Sequence, residues 1–301
     1  MLLMNKRELA DFERGMAEAT KRRSQWRDVM RRLRKNKLGM AGLIIVAVLL
    51  IMVIFAGAFT GYDQAAQDLT QKFIFPNREH IMGTDQHGRD LFTRLLYGGR
   101  ISLMVSLTAV MISGSAGIFL GSVAGYFGGK IDLAITRLLD ILMAIPSMLL
   151  AVTISAALGG GAVNTALAIS ISSTPSTMRI MRSTVLSIKG NDFVEAARAG
   201  GSKHMRTLFK HVLPNAIAPL IVNLTLHIGG NIMAISGLSF IGLGVKPPTP
   251  EWGSILNVGR PYIRDFWPII VFPAMFIAIT VFGFNLFGDG LRDALDPRLK
   301  N

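Results

Sequence analysis

Six long apolar blocks constrain this chain more than any other feature of its sequence. The first extends from Leu38 to Phe59 without a charged side chain. A helix of about 20 apolar residues is long enough to cross the hydrocarbon core of a bilayer. The pattern therefore predicts an all-α integral membrane protein with six transmembrane helices. The other five blocks lie at about 101–127, 133–158, 162–181, 215–245 and 266–287.

Prolines and the two ends of the chain add detail to this six-span prediction. Pro146 is expected to kink the third span and Pro175 to interrupt the fourth. The apolar run before Ala56-Gly57-Ala58 is too long for a cleaved signal peptide, so the first block is interpreted as an uncleaved span. Residues 288–301 are polar and are predicted to form a C-terminal tail.

The charges are unevenly distributed between the loops. The net charge of +13 could indicate nucleic-acid binding. The apolar blocks favour basic loops at a membrane instead. No nucleic-acid partner is therefore expected. With the N-terminus inside, 24 of the 32 Lys and Arg residues fall on the cytoplasmic side. This bias predicts cytoplasmic termini and a cytoplasmic loop at 188–214. The segments 60–100 and 246–265 are then extracytoplasmic.

Residues 1–37 are polar and strongly basic. The first 24 lack apolar periodicity and are predicted to form a cytoplasmic tail. Apolar residues then recur at helical spacing among five basic ones, which predicts an amphipathic helix in the lipid headgroup plane. A soluble amphipathic helix is the alternative. The apolar positions are Trp26, Val29, Met30 and Leu33.

The loop at 188–214 predicts two short helices joined by a glycine turn. Asp192 is the expected N-cap and Glu195 would complete a capping box. Gly200-Gly201 can adopt the left-handed conformation that ends a helix. Ser202 is expected to cap the second helix and Pro214 to stop it.

Each of these two helices has an apolar face. Because the segment is otherwise aqueous, this half-apolar hairpin needs a partner to pack against. Phe193, Ala196 and Ala197 lie on one face of the first helix. The second helix has the spacing i, i+3, i+4, i+7 at Met205, Leu208, Phe209 and Val212.

Several catalytic signatures are missing from the sequence. Gly128-Gly129-Lys130 is followed by Ile131, which cannot supply the hydroxyl that binds Mg²⁺ in a phosphate loop. The sequence contains no H-E-x-x-H or G-x-S-x-G motif and no cysteine. We therefore expect no enzymatic activity, nucleotide site, cofactor or metal in this chain. Asp85, His87 and Asp90 come closest to metal-ligand spacing, but a structured turn with paired or capping carboxylates is the favoured interpretation.

A polar stripe interrupts the fifth span. Asn223, His227 and Asn231 follow at i, i+4 and i+8, so they share one helix face that would be costly against lipid. Interhelical hydrogen bonding and lining of a translocation path explain the stripe equally well. The fourth span has a weaker cluster of the same kind at Ser170, Ser172, Ser173 and Thr174.

One motif resembles a known family. The pattern E-A-A-x3-G-x9-[IH]-x-L-P is typical of binding-protein-dependent ABC importer permeases, and here it comprises Glu195, Ala196, Ala197, Gly201, His211, Leu213 and Pro214. Further segments resemble the second permease subunit of the dipeptide/oligopeptide/nickel importer group. They are Gly83–Asp90, Ala124–Gly129, Leu238–Gly244, Pro247–Gly253 and Phe284–Pro297.

The resemblance implies a type I ABC importer fold and a multi-pass protein of a bacterial or archaeal cytoplasmic (inner) membrane. It implies a heterodimer with a homologous permease, two cytoplasmic ATPase subunits that bind ATP and Mg²⁺, and an extracytoplasmic substrate-binding protein. Glu195 and the alanines would contact an ATPase groove, Gly201 would permit the turn, and Pro214 would join the hairpin to the fifth span. Gly200 departs from the family pattern, so the first helix is expected to end one residue early.

The expected substrates are di- and oligopeptides. Nickel complexes, glutathione or another small solute are alternatives within the same class. A proton-coupled secondary transporter that titrates His227 and a non-transporting scaffold are alternatives from other classes. The absence of carboxylates in the middle of the spans argues against the proton-coupled secondary transporter. The complete importer motif argues against the non-transporting scaffold.

Overall fold

The computed structural model describes the backbone of residues 25–295 and the side chains of residues 29–295. The predicted tail at 1–24, the side chain of Trp26 and residues 296–301 lie outside these ranges. Within the described range the regular structure is helical, apart from one β-bridge between Thr84 and Asp90. The all-α prediction is confirmed.

Residues 25–59 form three consecutive helices. Helix α1 (Gln25–Lys35) corresponds to the predicted amphipathic helix, and α2 (Lys37–Ile54) to the first span. Asn36 caps α2 by accepting a hydrogen bond from the Gly39 amide at 2.9 Å. The short α3 (Ala56–Phe59) completes the span. The position of α1 in a headgroup plane stays a prediction.

Helix α4 (Leu91–Phe127) begins ten residues before the predicted second span. Asp90 fixes this start because its carboxylate accepts a hydrogen bond from the Thr93 amide at 2.7 Å. The last ten residues of the predicted extracytoplasmic segment 60–100 are therefore helical, and the bounds of that segment stay a prediction. Apolar periodicity alone did not mark the start because Asp90, Arg94 and Arg100 make the first turns polar.

The third predicted span is broken at the expected proline. Helices α5 (Gly129–Met143) and α6 (Ser147–Leu158) meet at an angle of 84°, with Pro146 at the N-cap position of α6. The predicted kink is thus a complete break between two half-length helices.

Helix α7 (Ala162–Lys189) runs through Pro175 without interruption, so the predicted break there was wrong. It also extends eight residues beyond the predicted end at Met181. Proline is tolerated inside a membrane helix where neighbouring helices and Ser or Thr side chains satisfy the freed backbone groups. The Thr174 hydroxyl donates to the Ser170 carbonyl at 2.7 Å beside this proline.

The remaining elements follow the predicted order with shifted ends. Helices α8 (Asp192–Ala199) and α9 (His204–Thr207) form the hairpin, and α10 (Leu213–Phe240) is the fifth span. Helix α10 ends five residues before the predicted Val245. After the short α11 (Trp252–Gly259), α12 (Pro268–Leu295) includes the start of the predicted C-terminal tail.

Among residues 25–295, four helical stretches are long and apolar enough to cross a membrane, and the bent pair α5–α6 makes a fifth if it is one span. The four are α2, α4, the continuous run His204–Phe240 and α12. The fourth predicted span, α7, is the one that does not meet this test: it has 28 residues but is less apolar because Ser and Thr residues recur along it. It packs along the length of α4.

A glycine stripe allows α4 and α7 to approach closely. Gly117, Gly121 and Gly125 recur every fourth residue and face α7. A Cβ atom on Gly121 would lie 2.6 Å from the Met178 carbonyl oxygen, and one on Gly125 would lie 2.9 Å from the Arg182 carbonyl oxygen. Small residues at such positions let membrane helices pack backbone to backbone.

The bundle has two distinct ends. At the hairpin end, the turn at Gly128 lies near Lys189, where α7 leads into α8. At the opposite end, Gly161 donates its amide hydrogen to the Gly244 carbonyl at 2.9 Å. The opposite end also contains α11, whose Trp252 indole donates to the Leu95 carbonyl at 2.8 Å.

Candidate functional site

The first arm of the hairpin is capped differently from the prediction. Asn191 occupies the N-cap position of α8 without a side-chain cap bond, and Asp192 is the first helical residue. The predicted capping box of Asp192 and Glu195 was therefore wrong. The Glu195 amide instead donates to the Asn191 carbonyl at 3.3 Å. The Glu195 side chain is exposed and has no hydrogen bond or ion pair among the described residues.

The glycine turn has a defined hydrogen-bond pattern. Gly201 adopts φ +81°, whereas Gly200 has φ −74°, so only the second glycine is left-handed. The Gly201 amide donates to the Arg198 carbonyl at 2.9 Å and the Ser202 amide to the Ala197 carbonyl at 3.1 Å. This pair of bonds is a Schellman motif, which ends a helix at a left-handed glycine. Helix α8 ends at Ala199, as expected from the departure at Gly200.

The second arm passes directly into α10. Lys203 occupies the N-cap position of α9, so the predicted Ser202 cap was wrong. A π-helical turn at Leu208–Val212 follows, in which the Leu213 amide donates to the Leu208 carbonyl. Pro214 then lies in the first turn of α10, where its missing N–H is tolerated. The prediction that Pro214 stops the helix was wrong, because the wider π turn precedes it without ending the helix.

Three buried side chains attach the hairpin to the bundle. Val194, Leu208 and Val212 are almost completely buried in one cluster with Tyr126 of α4 and Met181 of α7. Val194 therefore holds α8, and the π turn holds the second arm. The hairpin is thus packed directly against α4, α7 and α10, and close-packed interiors deform little.

Tyr126 is the polar centre of this attachment. Its hydroxyl lies 3.5 Å from Nδ1 of His204, and the Arg198 guanidinium carbon lies 5.2 Å from its ring centre. The Lys189 ammonium lies 5.8 Å from the same ring. A cation over an aromatic face is attracted to the ring, so one residue of α4 contacts both arms of the hairpin and the end of α7.

The opposite side of the hairpin is exposed. Phe193, Met205 and Phe209 have exposed fractions of 43%, 55% and 53%, although all three are apolar. Glu195 and Ala196 are also exposed. We call these five residues the docking face. The predicted apolar face of the second helix is therefore split. Leu208 and Val212 are buried in the protein, and Met205 and Phe209 are exposed.

The other residues of the motif lie beside this face. Ala197 is half-buried, and Gly201 is exposed at the turn. His211 and Leu213 are half-buried in and after the π turn, and Pro214 is exposed. The motif thus supplies the turn and the connection to α10 in addition to two residues of the docking face.

A cavity of about 520 Å³ lies between the α5–α6 break, α7 and α10. We call it the central cavity. Two of the three stripe residues, His227 and Asn231, line it, whereas Asn223 does not. From α7 it is lined by Ser172, Ser173 and Ser176, while the predicted Ser170 and Thr174 lie outside it.

The three stripe residues share an unusual feature. Asn223 Oδ1, His227 Nδ1 and Asn231 Nδ2 are buried and have no hydrogen-bond partner among the described residues. Buried polar atoms in folded proteins are nearly always paired. Interhelical hydrogen bonds, the first of the two sequence interpretations, are therefore not formed by these atoms.

The turn at Gly83–Asp90 has the favoured structured form. Asp85 accepts a hydrogen bond from Arg89 Nε at 2.7 Å and lies 3.4 Å from Arg94 Nε. Asp90 caps α4 and also contacts Nδ1 of His80 at 2.9 Å. The carboxylates thus pair with basic groups and cap a helix.

A buried acid organises the same end of the bundle. The Glu251 carboxylate accepts hydrogen bonds from the Gly253 and Ser254 amides, at 3.0 Å and 2.9 Å, and from the Ser102 hydroxyl at 3.0 Å. Burial raises the pKa of this carboxyl group, while these donors oppose the increase. Glu251 and Ser254 form the capping box of α11.

Sequence reasoning missed the anchoring residues. Tyr126 lies at the end of the predicted second span, where only the family motif marked the segment as special. Val194 lies in an eight-residue helix that is too short for a clear periodicity. The contribution of α6 to the central cavity was also missed. Pro146 was the available signal, since a break inside a span exposes backbone groups there.

Two family models match the chain. A model described as "Binding-protein-dependent transport system inner membrane component" matches residues 117–301. Another, described as "N-terminal TM domain of oligopeptide transport permease C", matches residues 24–77. The first includes the hairpin and the central cavity. Together they confirm the family resemblance inferred from the motifs.

Curated relatives align with nearly the whole chain. The dipeptide transport system permease protein DppC of Alkalihalophilus pseudofirmus is 44% identical over 278 residues, which are 92% of this chain and 91% of the relative. The oligopeptide transport system permease protein OppC of Bacillus subtilis is 40% identical with the same coverage. The glutathione transport system permease protein GsiD of Escherichia coli is 39% identical and covers 92% of each chain.

Solved structures share the fold. The MetNI methionine ABC transporter, described in inward facing conformations, matches with a TM-score of 0.54 at 19% identity. The match covers 67% of this chain and 96% of that one. An amino acid ABC transporter crystallised with histidines matches with a TM-score of 0.52 at 17% identity, over 65% and 91% of the two chains.

Proposed function

This chain belongs to the binding-protein-dependent transport system inner membrane components, and on that premise we propose that it is the permease subunit of an ATP-driven importer of di- and oligopeptides. The hairpin carries the proposal. Its docking face exposes three large apolar side chains, while its other face is fixed to three helices of the bundle. Such an element suits a partner that supplies mechanical work.

The peptide assignment rests on the relatives. Permeases named for dipeptides or oligopeptides are 40–44% identical over about nine-tenths of the chain. A glutathione permease at 39% supports the same machine with another small solute as the alternative. The separate binding protein makes most of the selection in such an importer, so the ligands it retains distinguish these substrates.

The other subunits follow from the family and the charge distribution. The positive-inside bias supports a cytoplasmic hairpin and cytoplasmic termini. Two ATPase subunits would dock at the hairpin end, and a homologous permease would complete the membrane part as a heterodimer. A substrate-binding protein would dock at the opposite end, which contains the Gly83–Asp90 turn and α11.

The docking face gives each residue a role. Phe193, Met205 and Phe209 would enter an apolar groove of the ATPase. Glu195 would contribute charge complementarity, because it has no partner in the described part of its own chain. Ala196 allows close approach. When ATP closes the ATPases, the anchored hairpin would move α4, α7 and α10 and shift the permease between inward-open and outward-open states.

The energy would come from the partners. Lys130 is followed by Ile131, and α5 begins at Gly129, so these residues do not form a phosphate loop before a hydroxyl residue. ATP and Mg²⁺ would bind in the ATPase subunits. A proton-coupled transporter that uses His227 is not favoured, since the similar proteins are permeases of binding-protein-dependent systems. Collapse of the proton gradient should leave ATP-driven uptake intact.

Glu195 variants test the coupling. The complete complex is reconstituted in proteoliposomes with its binding protein, and peptide uptake and ATP hydrolysis are measured together. Glu195→Lys should abolish most uptake because it reverses the exposed charge, whereas Glu195→Gln should retain part of it. Both variants should fold, since this side chain is exposed and caps no helix; a lysine in the first turn of α8 costs at most about 1 kcal/mol through the helix dipole. Wild-type uptake by Glu195→Lys would contradict the coupling role.

A further inference from the structure

The central cavity is lined by buried polar side-chain atoms without hydrogen-bond partners among the described residues. Asn231 is only 5% exposed, yet its amide Nδ2 has no partner among the described residues. One helical turn away, Nδ1 of His227 is also buried and unpaired. Both residues line the cavity. Because an amide nitrogen can only donate, an acceptor group in the cavity would relieve the cost of leaving it unpaired.

The break before α6 adds a second source of donors. Pro146, Ser147 and Met148 line the same cavity, so the N-terminus of α6 opens into it. This helix has 12 residues and no side-chain cap bond at its N-terminus. The first amides of a helix have no partner within it and carry partial positive charge. Half-helix N-termini in the middle of a membrane bind anionic substrate groups by this means.

The C-terminus of α5, where free carbonyl groups carry partial negative charge, lies at the same break. Two of these carbonyl groups already accept hydrogen bonds. The Asp140 carbonyl accepts from the Ala144 amide at 3.0 Å, and the Leu142 carbonyl from the Ile145 amide at 3.3 Å. The residues lining the cavity include no Asp, Glu, Lys or Arg. The cavity therefore offers donors to an anion without a fixed charge that would hold it permanently.

The serine side chains of α7 that line the cavity offer hydrogen-bond acceptors. The hydroxyls of Ser172 and Ser176 each donate to a carbonyl of α7 at 2.9 Å. Their oxygen lone pairs remain available as acceptors. Donors thus come from α6 and α10, and acceptors from α7, which suits a ligand with a carboxylate at one position and amide hydrogens beside it.

We propose that the central cavity receives the C-terminal carboxylate of a peptide in transit, with the Asn231 amide, the His227 ring and the N-terminus of α6 as its donors. This inference rests on the proposed peptide function and assigns a subsite to it. The volume of about 520 Å³ is within the usual range for small-ligand sites. The uncharged lining keeps occupancy weak enough for the peptide to leave, as transport requires.

The test compares two probes that differ only at this group. Proteoliposomes with the complete complex and its binding protein are supplied with trialanine or with trialanine amide, and the ratio of their uptake rates is measured. The same binding protein serves every variant, so its own preference cancels when each ratio is divided by that of the wild type. Asn231→Asp should lower this ratio at least about tenfold, because like charges placed together are strongly unfavourable.

Two further variants complete the design. Asn231→Leu removes the donor without adding charge and should lower the ratio about threefold to fivefold, the loss of one hydrogen bond; it also serves as the readout should Asn231→Asp not assemble. Asn223→Asp is the matched control, since Asn223 is a half-buried asparagine of the same helix, with a buried unpaired Oδ1, outside the cavity. Its ratio should stay near that of the wild type.

The outcomes separate the subsite from the function. An unchanged ratio in the Asn231 variants, or an equal fall in Asn223→Asp, would overturn the carboxylate subsite while peptide import stands. If the wild-type complex imports neither these probes nor any dipeptide or longer peptide, although its binding protein stimulates ATP hydrolysis, the peptide function itself fails, and the subsite with it.

Discussion

Two neighbouring residues, Leu208 and Phe209, provide the sharpest test of the docking face. Leu208 is 1% exposed and Phe209 is 53% exposed. A phenylalanine covers roughly 150–250 Å², so about 100 Å² of Phe209 is available to a partner. Burial of this area contributes as much as about 2.5 kcal/mol. Phe209→Ala should therefore weaken ATPase binding by up to about 60-fold.

Leu208→Ala is the matched control and should have the opposite profile. It removes a buried side chain from the cluster that anchors the hairpin, which costs about 2–5 kcal/mol of stability. The thermal unfolding midpoint should fall clearly for Leu208→Ala and little for Phe209→Ala. Both quantities are measured on the purified permease pair, by thermal unfolding in detergent and by titration with the isolated ATPase subunits.

Two results would refute this reasoning. If Phe209→Ala binds the ATPases with wild-type affinity, the exposed ring contributes nothing to docking. If Phe209→Ala lowers the unfolding midpoint as much as Leu208→Ala, the ring supports the fold and is not free for a partner.

Two other substitutions have matched glycine controls. Gly201→Ala places a side chain at φ +81° and should lower the free energy of unfolding by about 1–2 kcal/mol, with weaker coupling of ATP hydrolysis to uptake. Gly200→Ala, at φ −74°, should behave as wild type. Equal behaviour of the two variants would show that the left-handed turn is dispensable. Gly121→Ala brings a Cβ within 2.6 Å of the Met178 carbonyl oxygen and should lower the free energy of unfolding by about 1–3 kcal/mol. Gly61→Ala, with no atom beyond its own chain neighbours within 4 Å of the added Cβ, should leave the unfolding midpoint unchanged. A normal midpoint for Gly121→Ala would contradict the close packing of α4 and α7.

Local errors in the sequence predictions have physical causes. A capping box at Asp192 and Glu195 satisfied the spacing rule, but the chain places Asn191 one residue earlier at the N-cap. Pro214 appeared to end a helix because proline lacks an amide hydrogen, yet the π turn before it keeps the helix continuous. Both features depend on backbone geometry that residue spacing does not specify.

Much of the architecture could be predicted because it follows from local composition. Uninterrupted apolar blocks must be helical in lipid, since every backbone polar group needs an internal partner. The hairpin was recognisable because an aqueous, half-apolar segment stood between two spans. The break at Pro146 was predictable in position, although the angle of 84° was not.

Only the tertiary structure decided how these parts work together. The sequence presents Leu208 and Phe209 as one apolar face, and contacts with α4 and α7 bury the first and leave the second for a partner. It presents Asn223, His227 and Asn231 as one stripe, and the fold places only the last two in a cavity with the N-terminus of α6. Helical periodicity determines which residues share a face. What packs against that face is decided by segments distant in the chain, which only the tertiary structure brings together.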